Sequence, residues 1–229
     1  MARAATGPST DPGGRTRMRE TMPSGVASGP LLLADISGYT SFLSNVTNAH
    51  QDDAFADGRI PDAYALVSSL LDGIVESVSP PFTLAKLEGD AVFAYSPSAD
   101  GMPHGEAVLA CLRSCYAEFR GRLGGARSVW SCRCEACAHV DDLDLKFVLH
   151  AGPYVIQQMR GGTELVGSEV VTVHRLLKNR ATELVGARPY ALISEAAAEM
   201  LGVPCEGSTP MVEQYEHLPP IGTRIILLD

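Results

Sequence analysis

Leu31-Leu-Leu-Ala-Asp35-Ile-Ser-Gly-Tyr-Thr40 and, further along, Lys86-Leu-Glu-Gly-Asp90-Ala-Val92 are the two stretches that decide the fold. The first opens with an uninterrupted apolar run, the pattern of a strand buried on both faces in the middle of a sheet. It then turns through Ser37-Gly38 into a helix reaching about Val46. The second lies across two short β-like runs, 83–87 and 91–95, joined at Glu88-Gly89-Asp90. A glycine–acid pair between such runs signals a hairpin. Between the two stretches, Leu66, Val67, Leu70, Leu71, Ile74, Val75 and Val78 recur every three or four residues. That spacing predicts a helix over 62–78 with one apolar face, ended by Pro80-Pro81.

Working outward, a third helix is expected over 105–123, with Val108, Cys111, Leu112, Cys115 and Phe119 on one stripe. Residues 143–150 alternate as a half-buried strand, and 154–159 are a candidate strand returning beside it. A helix over 167–177, a strand over 190–194, a short helix over 195–201 and a strand over 223–228 complete the pattern. The core order is β, two helices, β-hairpin, helix, β. This is an α/β (α+β) chain with a ferredoxin-like βαββαβ core and C-terminal additions. In such a core the first strand lies antiparallel to the third. Asp35, at the end of one, then faces Asp90, at the start of the other, although 55 residues separate them.

Residues 1–29 are rich in Gly, Pro, Ser, Thr and Arg without apolar periodicity, and are expected to be a disordered extension. Residues 30–229 are expected to form one domain, with a cysteine-rich insertion at about 128–141. Met18 and Met22 leave the translation start open. Eighteen basic against 27 acidic residues give a net charge of -9, which argues against a nucleic-acid partner. No stretch approaches the roughly 20 apolar residues of a membrane-spanning helix, and no apolar core of a secretory signal is present. A cytoplasmic protein is expected.

Two carboxylates a few ångströms apart repel one another, so a site that keeps both ionised usually holds a cation. Oxygen donors favour Mg²⁺ or Mn²⁺, which in turn bind triphosphate oxygens. Ser37, Gly38 and Thr40 stand where the chain enters a helix, and unpaired N–H groups there suit phosphate. Two metal ions at such a place could activate a ribose hydroxyl and stabilise a pyrophosphate leaving group. The plainer alternative is that Asp35 caps a helix and Asp90 completes a turn.

Leu33-Ala-Asp-Ile-Ser-Gly-Tyr-Thr40 resembles the first metal motif of class III adenylyl and guanylyl cyclases, Asp-Ile-x-Gly-Phe-Thr. Lys86-Leu-Glu-Gly-Asp90-Ala resembles their Lys-x-x-Gly-Asp-Ala hairpin, and His150-Ala-Gly-Pro their His-x-Gly-Pro. Gly167-Ser-Glu-Val-Val-Thr-Val-His-Arg175-Leu resembles their Gly-x-x-Val-Asn-x-Ala-x-Arg-Leu helix. The four matches run in order from about residue 31 to 178. The resemblance implies that Asp35 and Asp90 hold a two-metal Mg²⁺ or Mn²⁺ site, with the Ile36 carbonyl as a further ligand. It also implies that Lys86 and Glu164 recognise the base of ATP or GTP, and that Arg175 stabilises the transition state. Its active sites form between head-to-tail subunits, so a homodimer is implied, with Asp35 and Asp90 facing Lys86, Glu164 and Arg175 of the partner subunit.

Two departures weigh on catalysis. Val171 stands where the family has its ribose-orienting asparagine, and valine has no side-chain donor. No lysine matches the triphosphate-binding one near the C-terminus, where Arg224 is the nearby cation. Three readings therefore stay open: a cyclase making cAMP or cGMP, a degenerate nucleotide-binding regulatory module, and a zinc-stabilised interaction protein without nucleotide.

Cys132-Arg-Cys134-Glu-Ala-Cys137 has no counterpart in that resemblance. Clustered cysteines in a cytosolic chain suggest metal more than disulfides, and thiolates at this spacing can converge on a structural Zn²⁺, which takes four ligands. Cys115, His139, Cys111 or a residue from a partner chain are the candidates for the fourth. Reduced thiols in a loop are the alternative.

Overall fold

The computed structural model describes residues 25–50, 62–97, 101, 103–130, 132, 134–159 and 162–228. Residues 1–24 of the expected N-terminal extension lie outside them. Leu31, Leu32 and Leu33 are fully buried because their strand, β1 (Gly25–Ser37), is central: it has antiparallel neighbours on both edges and packing on both faces. Those neighbours are β3 (Ala91–Tyr95) and β4 (Asp144–Met159). β3 forms the expected hairpin with β2 (Thr83–Glu88). Gly89 supplies the turn, at φ +67°, and Asp90 does not share that left-handed region. Glycine first with φ above zero is the II′ pattern that matches the twist of paired strands.

Helices α1 (Tyr39–Ala49) and α2 (Asp62–Val78) connect β1 to β2, and α3 (Gly105–Val129) connects β3 to the insertion. The insertion holds α4 (Glu135–Ala138) and a 3₁₀ turn, His139–Asp142. After β4 come β5 (Gly162–Val166), α5 (Ser168–Leu176), α6 (Ala181–Val185), β6 (Tyr190–Ser194), α7 (Glu195–Leu201), β7 (Thr209–Glu213) and β8 (Ile221–Leu227). The sheet order is β2-β3-β1-β4-β6-β8-β7, with β5 paired to β4. The β2-β3-β1-β4 half is the ferredoxin-like core, and β6, β8 and β7 widen the sheet beyond it.

Several boundaries differ from expectation. β1 starts at Gly25, inside the stretch expected to be disordered, because Gly25 to Gly29 pair along β4 from Ile156 to Gly152. Backbone pairing of this kind needs no apolar side chains and leaves no hydrophobic pattern. Residues 154–159 continue β4 rather than returning beside it; the returning strand is β5. α3 runs on to Val129, and α6 and β7 carried no signal that periodicity could detect.

The two faces of the sheet are covered unequally. Leu32, Ala34, Ile36, Val92, Phe147 and Leu149 pack under α1, α2, α3 and α7. Leu31, Leu33, Phe93, Val148 and Leu192 pack on the opposite face, where Val173 and Leu176 of α5 and Ala181 of α6 meet them. Side chains alternate along a strand, so Asp35 falls on the lightly covered face with Leu31 and Leu33. Lys146 falls there with Val148, and Lys86 and Glu88 fall there opposite Phe93 and Ala91. Asp35, Lys146, Lys86 and Glu88 share one face.

Candidate functional site

At the end of β1, Asp35 pairs with Ala91, and the Ile36 N–H donates to the Asp90 carbonyl at 3.1 Å. The hairpin turn is thereby fastened to the strand that carries the other carboxylate. Burial pushes the Asp90 carboxyl above its ordinary value. Its own backbone hydrogen bond opposes this, the Asp35 charge adds to it, and Lys146 again opposes it. The turn that carries Asp90 is thus held beside the end of β1 that carries Asp35. The phenol of Tyr39 is raised by burial and by Asp90, so an aromatic ring borders the same spot.

A cation that sequence reading missed is already there. Lys146 Nζ lies 3.0 Å from Asp35 Oδ2, and both side chains are largely buried. The two residues are register partners across β1 and β4. Strand parity sets them side by side, a relation visible in the sequence only once that register is known.

Ser37 ends β1, and Gly38 stands at the N-terminus of α1 with φ +83°. A Cβ on Gly38 would come within 3.1 Å of the Asp142 carbonyl oxygen, so glycine is required both by backbone conformation and by space. Thr40 is exposed in the first turn of α1. The first N–H groups of a helix have no partner within it, which leaves this turn able to receive an anion.

Lys86 and Glu164 meet directly: Lys86 Nζ donates to Glu164 Oε2 at 3.1 Å and also lies 3.1 Å from Glu88 Oε1. The hydrogen bonds to Glu164 and then Glu88 raise the Lys86 ammonium above its usual value. Glu88 extends the row, with its Oε2 at 2.8 Å from His174 Nε2, while His174 Nδ1 donates to the Val170 carbonyl at 2.6 Å. Glu88 and His174 are the members of this row that the sequence reading passed over. Arg175 is exposed on α5, in a surface hollow lined by Val170, Val171, His174, Arg175 and Lys178. Val171 is 52% exposed in the same hollow and offers it a methyl surface where a donor was sought.

The cysteine segment folds onto the far end of α1. Cys132 Sγ, Cys134 Sγ and Cys137 Sγ lie 3.6, 3.2 and 3.5 Å from His50 Nε2, and the four atoms lie within 4.8 Å of one another. None of the three residues of this chain named as fourth-ligand candidates from the sequence stands here. Cys111 Sγ donates to the Ser77 carbonyl, Cys115 is buried on α3 beside it with its thiol pushed up to about 12 by burial, and His139 pairs with Asp142. His50 follows the last residue of α1, 82 positions before Cys132. A single histidine at a helix end carries no spacing signal, so only folding could nominate it.

Residues 67–184 match the family described as "Protein of unknown function (DUF2652)". The chain is 30% identical over 163 residues to "Uncharacterized protein Rv2561/Rv2562" of Mycobacterium tuberculosis, covering 70% of this chain and 72% of that protein. Among solved structures it is similar to the adenylyl cyclase CyaB from P. aeruginosa, at 12% identity and TM-score 0.59, over 90% of this chain and 96% of that one. It is also similar to the catalytic core of a rhodopsin-guanylyl cyclase with converted specificity in complex with ATPalphaS, at 14% identity and TM-score 0.54, over 89% and 97%. The fold is that of the class III adenylyl/guanylyl cyclase catalytic domain.

Proposed function

We propose that this chain, which belongs to the DUF2652 family, binds a nucleoside triphosphate, ATP or GTP, together with Mg²⁺ or Mn²⁺ at the Asp35–Asp90 end of its cyclase-type sheet. The observation that carries this reading is the meeting of Asp35 and Asp90, fastened through the Ile36 N–H. Two carboxylates and the Ile36 carbonyl form an all-oxygen donor set, which suits a small hard cation. When bound, such an ion offsets triphosphate charge and polarises the phosphoryl group being displaced.

The chain's own groups have distinct tasks. The α1 turn at Ser37, Gly38 and Thr40 receives phosphate oxygens. Lys86 and Glu164, mutually paired at 3.1 Å, exchange that contact for hydrogen bonds to the base. Arg175 neutralises charge developing on the phosphates. The arrangement is completed in a head-to-tail homodimer of one cyclase-type domain per chain, with Lys86, Glu164 and Arg175 of the partner subunit reaching the aspartates. A cytoplasmic location fits, since triphosphates and reduced thiols are found there together.

Cyclisation to cAMP or cGMP is slow in this reading. The exposed Val171 supplies no donor to the ribose, and losing one preorganised donor costs on the order of 10²–10³ in rate. The test is calorimetric titration of ATP and GTP with Mn²⁺ into wild type and an Asp35→Ala, Asp90→Ala double variant, with mass spectrometry of products. Manganese-dependent binding confined to the wild type supports the reading. Binding that survives the double variant, or binding to neither protein, overturns it. A cyclic product formed by the wild type would add enzymatic turnover to binding.

A second reading rests on Lys146. Its ammonium at 3.0 Å from Asp35 supplies the positive charge that a metal would, which favours a degenerate site that takes no divalent ion. Replacing Lys146 separates the two readings.

A further inference from the structure

We propose that His50, Cys132, Cys134 and Cys137 form a closed, structural Zn²⁺ site that fastens the C-terminal end of α1 to the cysteine insertion. The proposal does not depend on nucleotide binding. It rests first on distance. With zinc–sulfur bonds of about 2.3 Å and a zinc–nitrogen bond of about 2.0 Å, a tetrahedron sets nitrogen and sulfur about 3.5 Å apart. The three separations from His50 Nε2 are 3.2, 3.5 and 3.6 Å. Ordinary hydrogen bonding does not account for this convergence. One imidazole nitrogen carries at most one proton or one lone pair, so it satisfies one thiol and not three. A cation at the centre satisfies all four at once.

The chemistry of the donors selects the ion. Three soft thiolates and an imidazole suit zinc better than magnesium, manganese or calcium. Four protein ligands leave no open position, which marks a structural rather than a catalytic centre. The surroundings fit as well. The Cys137 backbone N–H donates to Cys134 Sγ at 3.4 Å, the kind of outer contact that orients a ligand and spreads thiolate charge. Arg127, paired with Asp141, lines the same hollow as Cys132 and Cys137.

The position of the site gives it a purpose. α1 starts at Gly38, packed against the Asp142 carbonyl of the insertion, and is followed at its other end by His50 within the cysteine cluster. Phe42, in the first turns of α1, stacks on Trp130 with ring centroids 6.4 Å apart. The insertion thus braces α1 at both ends, and zinc locks the brace at the His50 end.

The experiment uses the full chain purified under reducing conditions without added metal. Elemental analysis is expected to find one zinc per chain. Exchange with Co²⁺ should give the visible d–d bands and thiolate-to-cobalt charge-transfer band of a tetrahedral ion. His50→Ala should weaken zinc, measured by chelator competition, by more than the roughly 10–100-fold that loss of an outer-shell partner costs. His139→Ala should leave affinity and spectrum unchanged. His50→Cys, which keeps four ligands, should retain zinc and intensify the charge-transfer band; it reads out the ligand even where the alanine variant does not fold. Substoichiometric zinc, a disulfide among the three cysteines, or a His50→Cys protein with an unaltered cobalt spectrum would overturn the proposal.

Discussion

The two ends of α1 lie beside two clusters of ligand-type side chains built on opposite plans. Near its start, Asp35 stands at the end of core strand β1, and Asp90 lies in the hairpin turn just before β3, which is hydrogen-bonded to β1. Past its end, His50 meets three cysteines from an insertion after α3, and soft donors close around a point. A site on neighbouring strands inherits its geometry from the sheet, and it can stay open to a ligand because the scaffold is rigid without it. A site assembled from a helix end and a loop has no such scaffold. It holds its shape only if something at its centre holds it, which is why a closed four-ligand ion suits it and an exchanging substrate metal does not.

The sharpest way to break this contrast is to remove the ion from the closed site. Stripping zinc with a chelator, or replacing Cys137 with serine, is expected to lower the unfolding free energy by about 4 kcal/mol at a thousandfold excess of zinc over its dissociation constant. Chemical denaturation with and without zinc measures this. Stripping Mg²⁺ or Mn²⁺ from the aspartate end should leave stability far less changed; equal losses at the two ends would erase the distinction.

Gly38 tests the link between them, since its turn presents the aspartate end and leans on Asp142 of the insertion. Gly38→Ala places a Cβ at φ +83° and 3.1 Å from a carbonyl oxygen, and should cost about 1–2 kcal/mol, the usual penalty of the left-handed region. Thermal unfolding gives the loss. Weaker manganese-dependent nucleotide binding in the same variant would show that the brace serves the aspartate end.

Lys146→Met sharpens the aspartate side alone. With the ammonium removed from beside Asp35, manganese affinity is expected to rise several-fold, up to about tenfold or 1.4 kcal/mol. No manganese binding by the wild type, with binding appearing in the variant, would favour the reading in which the lysine takes the place of the ion.

The smallest effect is a pH dependence. The Asp90 carboxyl is raised in the folded chain by burial and then by Asp35, so the fold holds that proton more tightly than the unfolded chain does. Its contribution to metal-free stability is full below the ordinary carboxylate value and is lost as pH rises through the raised one. Denaturation midpoints across that window should fall with pH in the wild type, and the Asp90→Asn variant should lack this component. Saturating Mn²⁺ should flatten the fall, because the ion favours the ionised carboxylate.

Much of the aspartate end could be read without a structure. An apolar run ending in Asp35 and a hairpin turn ending in Asp90 each encode a local element, and the βαββαβ order brings such elements together. Lys86 with Glu164 was nominated by resemblance, and the structure sets them at 3.1 Å. Lys146 was not legible, because its role depends on which residue of β1 it pairs with, and a slip of one residue would turn it to the other face. The first residues of β1 were misread because a Gly- and Ser-containing stretch can pair through its backbone alone.

What the amino-acid sequence determined by itself was therefore local and periodic: helices from three- and four-residue spacing, the central strand from its unbroken apolar run, the hairpin from its glycine, and three cysteines at ligand spacing. Strand register, the unequal covering of the two sheet faces and the arrival of His50 at Cys132, Cys134 and Cys137 were decided only by tertiary structure. The physical reason is that each of these depends on groups far apart in the chain, whose approach is set by packing of the whole core and leaves no mark on the spacing of any single segment.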